Sequence, residues 1–488
     1  MRFLLVRPPI TLNVARRLRS FLHLEPLSLE IVAGGINGRH NVRILDLASV
    51  DDAGAEFTRV LSLFRPDVIG FTSYSNQARN AKSLAERAKN LLPNVLTMVG
   101  GCHATMVPED FKLPDVIDLV VRGEGGSVMP RLLRHLEAGQ DLPEDASFLP
   151  TASRAFDELA QQPPPALPPF EDVPTARRDL VNRSEYFCVW HGENYEYLPE
   201  LFPRTAALRT SVGCPNHCRF CVVPHLANGR YCQRTPEDAV DAIIRVPEDH
   251  IYFLDDEMFI NARRCHQIAD LLIERGVEKK YISWARADTI CRHPDLFARW
   301  KEAGLSLLYV GLESMQPEHL EAYEKGIAPD VNRRAVNILR ELGIGLHAAL
   351  MVRPDFSRQD FADVRQTIGE FSPAEFTFTV FSPPPGTPLW EETKEDFICP
   401  DPYSFYDCMH TLVEPALPLK DFYGQFSLLY LMGMRHNPWR HNKVRIPIHD
   451  FLRFMYRGAR YGLSLRQIYR DYEEFFPATA EFGFQDKT

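Results

Sequence analysis

Three of the ten cysteines lie within eight residues, in the segment GCPNHCRFCV that begins at residue 213. Cys214, Cys218 and Cys221 form the spacing CxxxCxxC, and the aromatic Phe220 precedes the last of them. Three thiolates can bind three irons of a [4Fe–4S] cluster and leave the fourth iron open to another ligand. The spacing therefore predicts that these cysteines are metal ligands at a catalytic iron–sulfur cluster.

Two other kinds of site also use clustered cysteines. A structural zinc site usually has four ligands in two pairs, but no second CxxC follows residue 221. A thioredoxin-like redox site has two cysteines rather than three. Zinc and chance packing stay open as alternatives. In a reducing compartment, the remaining cysteines are expected to be buried apolar side chains: Cys102, Cys188, Cys232, Cys265, Cys291, Cys399 and Cys408.

The elements around this motif alternate between strands and helices. Amphipathic helical segments separate six strand-like runs, at 205–213, 250–257, 281–288, 305–314, 345–352 and 375–384. Such alternation predicts βα units and a parallel sheet, with polar residues at the carboxyl ends of the strands.

Residues 2–137 have the same rhythm, with five short Val/Ile/Leu-rich strands between helices. This pattern predicts a doubly wound sheet that is buried on both faces and binds a ligand at the carboxyl ends of its strands. No GxGxxG opens the first helix, so a dinucleotide site is not expected.

These features resemble the cobalamin-dependent (B12-binding) radical S-adenosylmethionine proteins. CxxxCxxC resembles the superfamily signature, and PDVIGFTSY, VGGCHATMVPEDF and IDLVVRGEGG resemble the cobalamin-binding domain of one class. Within that class, LHLEPLSLEIVAGGI, ARADTICRHPDLFARWKEAGL, MVRPDFSRQDFADVR and YDCMHTLVEPALPLKDFY resemble the hopanoid C-3 methylase group.

The resemblance implies an α/β fold with four parts. Residues 1–138 would form a doubly wound, Rossmann-like cobalamin-binding domain, and residues 139–182, which include QQPPPALPP, a proline-rich linker. Residues 183–394 would form a partial (β/α)6 radical S-adenosylmethionine barrel, and residues 395–488 a small, mostly helical C-terminal region.

The same resemblance assigns residues to two cofactors besides the cluster. In the family, S-adenosylmethionine chelates the open iron, and the matching positions are Phe220, Asp255, Asp256, Glu257, Arg286, Glu313 and Val352. The positions expected to contact cobalamin are Thr72, Ser73, Tyr74, Asn76, Gly100, Gly101, His103, Gly123 and Glu124. Because no DxHxxG follows the first strand, no protein histidine is expected below the cobalt, and His103 is expected to pack against the nucleotide tail.

The activity implied is transfer of a methyl group from methylcobalamin to an unactivated carbon of a hydrophobic, hopanoid or other lipid-like substrate. A flavodoxin or ferredoxin would supply electrons. A cobalamin-dependent radical cyclase or rearranging enzyme would use the same parts without methyl transfer. A cobalamin-sensing regulator with a vestigial barrel is an alternative of another class, but the complete CxxxCxxC argues against it.

Charge and hydropathy restrict the location and the partners. A net charge of −10 argues against a nucleic-acid binder, and no apolar run is long enough for a membrane span, so we expect a cytoplasmic protein. Residues 435–470 differ from the rest, with nine Lys or Arg, one acid, and aromatics that include Phe451, Phe454, Tyr456, Tyr461 and Tyr469. This stretch predicts either a solvated helix over a core or peripheral contact with anionic lipid.

Overall fold

The structure is a computed structural model that describes residues 1–190, 200–435 and 446–475. It contains two six-stranded sheets followed by helices, which confirms the predicted α/β architecture. Within the described residues, no helix is both long and apolar enough to cross a membrane.

The first sheet is buried on both faces. Its strands have the spatial order β3-β1-β4-β5-β6-β7, and all pairs are parallel except the edge strand β7. The strands in this part of the chain are β1 (Arg2–Arg7), β2 (Leu22–His23), β3 (Asn41–Asp46), β4 (Val68–Thr72), β5 (Leu96–Gly100), β6 (Leu119–Val121) and β7 (Phe148–Pro150). The helices are α1 (Asn13–Leu18), α2 (Leu27–Gly35), α3 (Ala53–Phe64), α4 (Ala78–Leu91), α5 (Cys102–Met106), α6 (Gly125–Glu137) and α7 (Phe156–Ala160). Continuous apolar runs such as FLLV in β1 allow separate cores to form on the two faces.

Part of the segment predicted to be an extended linker is ordered within this sheet. In β7, Phe148 and Leu149 are fully buried, because pairing with β6 places their apolar side chains on the two faces of the sheet. Helix α7 follows, with Phe156 in the same core. The extended conformation therefore holds for only part of the range 139–182, and the domain boundaries themselves stay a prediction.

The second sheet is a partial barrel with the order β16-β15-β14-β13-β12-β9, parallel throughout. The strands from residue 187 onward are β8 (Phe187–Cys188), β9 (Thr205–Leu208), β10 (Ser211–Val212), β11 (Cys232–Gln233), β12 (His250–Phe253), β13 (Lys280–Arg286), β14 (Leu305–Glu313), β15 (Gly345–Val352) and β16 (Glu375–Val380). Helix α8 (Val223–Leu226) lies between β10 and β11, and the later helices are α9 (Pro236–Arg245), α10 (Ala262–Glu274), α11 (Ala287–Arg292), α12 (Pro294–Ala303), α13 (Pro317–Ala322), α14 (Pro329–Leu342) and α15 (Arg358–Phe371). The six main strands match the six predicted runs.

The C-terminal part is helical, as predicted. Its helices are α16 (Pro388–Thr393), α17 (Pro402–Phe405), α18 (Leu419–Arg435), α19 (Ile448–Arg466) and α20 (Tyr469–Phe475). The loop after α17 is fixed by His410, whose ring nitrogens lie 3.0 Å from carboxylate oxygens of Asp407 and Asp471. Burial of this ring disfavours its charged form, but the carboxylates of Asp407 and Asp471 favour it more strongly. Together these effects raise the pKa of His410 to about 9.

Candidate active site between the two sheets

The three motif cysteines lie on one loop between β10 and α8, and all three are half-buried. The loop begins at Gly213, which has φ +88°, and a Cβ there would lie 2.0 Å from the carbonyl oxygen of Arg230. The Asp256 carboxylate accepts a hydrogen bond from the Gly213 N–H at 2.8 Å. Glycine is therefore required where the chain turns to present the cysteines.

Two side chains donate hydrogen bonds to the cysteine sulfurs. Asn216 Nδ2 lies 3.2 Å from Cys214 Sγ, and Arg286 Nη1 lies 3.3 Å from Cys218 Sγ. Burial raises the pKa of Cys214, and burial together with the other two thiols raises the pKa of Cys221 to about 12. Cluster binding must therefore release protons from this loop.

The three sulfurs are close enough to interact electrostatically, but they do not surround one point. Among the described residues, no three His, Cys, Asp or Glu side chains converge on a single metal ion. In a [4Fe–4S] cluster each cysteine binds a different iron, so the sulfurs need not converge.

The three acidic residues after β12, Asp255, Asp256 and Glu257, have different surroundings. Asp255 is buried and accepts hydrogen bonds from the backbone and hydroxyl of Thr210 and from the hydroxyl of Ser211, so its oxygens are used to hold the strand end. Asp256 faces the loop of the cysteines.

Glu257 is the carboxylate of this run that retains capacity for a ligand. Its Oε2 accepts the Arg286 N–H at 2.9 Å, whereas its Oε1 is buried without a hydrogen bond to any described residue. Burial raises the pKa of Glu257 to about 7. A cationic amine at Oε1 would satisfy the orphaned oxygen and favour the charged carboxylate.

Two further predicted residues point into the barrel beside the cysteines. Besides its bond to Cys218, Arg286 donates to Asp288 Oδ1 at 2.9 Å and to the Lys325 carbonyl at 2.7 Å. Glu313, at φ +60°, pairs with Lys325 Nζ at 2.8 Å. A Cβ at Gly311 would lie 2.4 Å from the Glu313 carboxylate, so only glycine leaves space for this pair.

Phe220 and Val352 differ in their placement. The Phe220 ring contacts the Tyr323 ring edge-on at 5.7 Å and lies 5.8 Å from Lys325 Nζ, which fixes it beside the same ion pair. Val352 is fully buried with Leu350 in the core between strands and helices. Its side chain therefore packs in the core with Leu350, and the contact of this position with S-adenosylmethionine stays a prediction.

A cavity of about 390 Å³ lies between the carboxyl ends of the first sheet and the cysteine loop. Six of the residues predicted to contact cobalamin line it: Thr72, Tyr74, Gly100, Gly101, Gly123 and Glu124. The cavity extends along the sheet past Gly70, where a Cβ would lie 2.8 Å from Met98 Cε and 3.1 Å from Leu5 Cδ2. The walls are thus formed largely by backbone and apolar side chains.

Tyr74 is an exposed polar side chain in the wall of this cavity. Solvent reaches 61% of its surface, yet it stands inside the cavity rather than on the outer face of the protein. The neighbouring Cys102 raises the pKa of Tyr74 to about 12, so its hydroxyl is a neutral donor.

Three other predicted cobalamin residues do not line the cavity. Ser73 is buried, and its hydroxyl donates to the Tyr74 carbonyl. Asn76 lies in the turn before α4. His103 is 1% exposed between Ser75 Oγ and Asp110 Oδ2, each at 3.1 Å, and against the Tyr403 ring. The structure therefore does not support packing of His103 against a nucleotide tail in this cavity, because its ring is already enclosed.

Residues that sequence reasoning missed complete the junction of the two halves. Arg209, directly after β9, pairs with Glu124 at 2.6 Å and lines the cavity opposite the first sheet. Cys102 also lines the cavity. Burial and the thiols of Cys408, Cys221 and Cys102 raise the pKa of Tyr406, which lies near both the cavity and the cysteine loop. Arg209 could have been inferred as a polar residue at a strand end, but the sequence contains no signal for Tyr406.

Comparisons with known proteins agree with this geometry. Residues 208–368 match the radical SAM superfamily, and residues 17–133 match the B12 binding domain. Hopanoid C-3 methylase of Methylococcus capsulatus is 31% identical over 86% of this chain and 78% of its own length. Anaerobic magnesium-protoporphyrin IX monomethyl ester cyclase of Cereibacter sphaeroides is 26% identical over 77% of this chain and 62% of its own length.

The solved structure of the cobalamin-dependent S-adenosylmethionine radical enzyme OxsB, with aqua-cobalamin and S-adenosylmethionine bound, has the same fold. It matches 99% of this chain and 74% of its own with a TM-score of 0.68 at 17% identity. The chain therefore belongs to the family of cobalamin-dependent radical S-adenosylmethionine methyltransferases that includes hopanoid C-3 methylase, and its cofactors are a [4Fe–4S] cluster, S-adenosylmethionine and cobalamin.

Proposed function

We propose that the protein transfers a methyl group to an unactivated carbon of a hydrophobic, hopanoid or other lipid-like substrate. The observation that carries the proposal is one cavity bordered by glycines of the first sheet, by Gly213 of the cysteine loop and by Asp256 after β12. Two cofactors held on these two sides would face each other across the cavity, because residues of both sides border it.

The residue roles within the barrel follow from the contacts. Cys214, Cys218 and Cys221 hold the cluster, and Arg286 donates to one sulfur while it orients Glu257 through its N–H. Glu257 receives the amine of S-adenosylmethionine at its unsatisfied oxygen. The Glu313–Lys325 pair holds Phe220 beside this site.

On the other side, the residues that line the cavity hold cobalamin by shape. Glycines 100, 101 and 123 let the ligand approach the backbone, and Tyr74 supplies a hydroxyl donor. His103 stays outside the cavity, which supports cobalamin binding without a protein ligand below the cobalt. We assign residues 1–138 to cobalamin binding, residues 183–394 to the radical S-adenosylmethionine barrel, and residues 395–488 to a helical C-terminal region that includes Tyr406.

When bound, the cluster supplies the electron that cleaves S-adenosylmethionine to a deoxyadenosyl radical, and cobalamin carries the methyl group. The chain's own task is to place the substrate carbon between them and to exclude water. A methyl transfer of this kind to an sp3 carbon needs no general base, in agreement with the structural use of Asp255.

An aromatic wall inside the barrel supports a hydrophobic substrate. The rings of Trp284 and Tyr309 lie 3.7 Å apart, and His347 follows at 4.3 Å from Tyr309. Because side chains two residues apart on a strand share a face, Trp284 lies on the same face as Arg286. The wall therefore continues from the proposed S-adenosylmethionine site into the barrel, where apolar rings can hold a polycyclic ligand.

A cyclase or rearrangement without methyl transfer is the second candidate, favoured by the similarity to a cyclase from Cereibacter sphaeroides. Incubation with S-adenosylmethionine labelled with deuterium in the methyl group separates the two. We expect a product heavier than the substrate by one CD3 group in place of hydrogen, with release of S-adenosylhomocysteine. A changed product without the label would support the cyclase.

Two partners complete the proposal. A flavodoxin or ferredoxin delivers the electron, because the cluster must be reduced for each cleavage. A lipid-like substrate also implies peripheral contact with a membrane.

A further inference from the structure

Helix α19 carries an unusual exposed surface. Of the fifteen large apolar side chains that are exposed among the described residues, six lie on this helix. Five of them follow helical spacing and form what we term the α19 apolar face: Ile448, Leu452, Met455, Tyr456 and Leu463. Ile448 is 70% exposed, and Leu452 and Leu463 are each 60% exposed. Exposed apolar residues gathered on one helix face indicate an interaction site rather than ordinary surface variation.

The opposite side of α19 is an ordinary core face. Phe454, Tyr461 and Leu465 are buried, with Phe454 and Tyr461 each packed edge-on against Phe21 at less than 6 Å. This corrects the sequence-based expectation that Phe454 and Tyr461 meet a membrane. The buried side of α19 therefore fixes the helix in place. Its apolar face is exposed although the helix is well packed.

The charges on α19 are all of one sign at its surface. Its single acid, Asp450, is buried and accepts the Leu201 N–H at 3.1 Å. Arg453 and Arg460 are exposed along the edge next to the apolar face, and Arg460 Nη1 lies 3.1 Å from the Tyr456 hydroxyl. No carboxylate of α19 therefore opposes an approaching anionic surface.

A second helix extends this basic edge. Helix α1 packs against α19, and the charge of Arg460 adds to burial in lowering the pKa of Arg17. Two guanidinium groups are thus neighbours at the rim of the apolar face. Like charges placed together are unfavourable in the free protein and become favourable beside phosphate groups.

From this arrangement, we infer that the α19 apolar face docks on an anionic lipid bilayer, with Arg17, Arg453 and Arg460 at the level of the headgroups. The helix lies in the plane of the surface, and Leu452, Met455 and Leu463 enter the boundary between headgroups and acyl chains. The inference deepens the proposed function, because a docked barrel can take a lipid-like substrate directly from the membrane, but its geometry does not depend on that substrate.

The test is co-sedimentation of the full chain with vesicles of phosphatidylglycerol and phosphatidylcholine, compared with vesicles of phosphatidylcholine alone. We expect stronger binding to the anionic vesicles, weaker at high salt. The double substitution Leu452→Glu and Leu463→Glu should reduce the bound fraction about tenfold, and Arg460→Glu should reduce it less. Leu63→Glu is the matched control, because Leu63 is 69% exposed on α3, outside the α19 apolar face, and it should bind as the unmodified chain does.

Three results would overturn the inference: equal, negligible binding to both vesicles, an equal loss with Leu63→Glu, or a dimer in sedimentation velocity that the double substitution dissolves without vesicle binding. Cleavage of S-adenosylmethionine in lipid-free buffer should be unchanged by the double substitution. Vesicle binding without methyl transfer would contradict the proposed function but not the docking face. Methyl transfer without vesicle binding would contradict the docking face but not the proposed function.

Discussion

The two sides of the central cavity are built in opposite ways. On the barrel side, charged and hydrogen-bonding side chains converge on the cysteine loop, among them Arg286, Glu257 and the Glu313–Lys325 pair. On the side of the first sheet, glycines and apolar side chains form much of the wall, and polar side chains such as Thr72, Tyr74 and Glu124 are spread along it rather than gathered at one loop. One side binds by specific chemistry and the other by shape, so different substitutions should disable them.

The triple substitution Cys214→Ala, Cys218→Ala and Cys221→Ala should disable the barrel side of the cavity and leave the side of the first sheet intact. Iron binding and formation of 5′-deoxyadenosine should be lost completely, because the three thiolates that bind the irons are removed, while cobalamin still binds to the first sheet. Iron quantification and absorbance of bound cobalamin after anaerobic purification measure both. About four irons per chain in the triple variant would contradict the assignment.

Gly70→Val tests the side of the first sheet, where cobalamin binding should be weakened and iron binding retained. The added side chain would enter the cavity wall against Met98 and Leu5 and take up space that the ligand needs, so cobalamin should bind about tenfold more weakly or worse, a loss of about 1.4 kcal/mol or more. The iron content should not change. Gly38→Val is the matched control, because no atom lies within 4 Å of a Cβ at that position. Equal cobalamin affinity in both variants would show that the wall at Gly70 does not shape the site.

A smaller effect is expected for Glu257→Gln, which keeps the shape of the side chain and removes its charge. Loss of a charge-assisted hydrogen bond should weaken binding of S-adenosylmethionine about tenfold. Since burial raises the pKa of Glu257 to about 7, the carboxylate predominates above pH 7 and the neutral acid below it. The affinity of the unmodified protein should therefore rise between pH 6 and pH 8.

Calorimetric titration at the two pH values measures this dependence, and Glu257→Gln should show little of it. Glu302→Gln on the exposed side of α12 is the control. If Glu302→Gln lowers the affinity as much as Glu257→Gln, the amine site lies elsewhere.

For His103→Ala we expect no change at the cobalt. The ring lies between Ser75 and Asp110 outside the cavity, so the paramagnetic resonance spectrum of cob(II)alamin should be the same in both proteins. Nitrogen splitting that is present in the unmodified protein and absent in the variant would identify His103 as an axial ligand.

The comparison also explains what could be predicted from the sequence. CxxxCxxC and the alternation of strands and helices are local patterns, so the cysteine loop, the six barrel strands and the doubly wound sheet were all predictable. Asp255, Asp256 and Glu257 are adjacent in sequence, yet only tertiary contacts decide which of them keeps a free oxygen.

Side-chain directions are what the sequence alone could not predict. Val352 and His103 lie at the predicted strand ends, but the direction of each side chain depends on strand register and on neighbours such as Asp110. Tyr406 comes from a segment far along the chain, and its position depends on the packing of the C-terminal part rather than on a motif.

The most direct measurement is mass spectrometry of a lipid extract incubated anaerobically with the protein, cobalamin, a reductant and S-adenosylmethionine that carries a CD3 group. The account predicts a lipid product with one CD3 group in place of hydrogen, together with 5′-deoxyadenosine and S-adenosylhomocysteine in comparable amounts, and no such product from the triple cysteine variant. Steady formation of 5′-deoxyadenosine with an altered lipid that never contains the label would contradict methyl transfer.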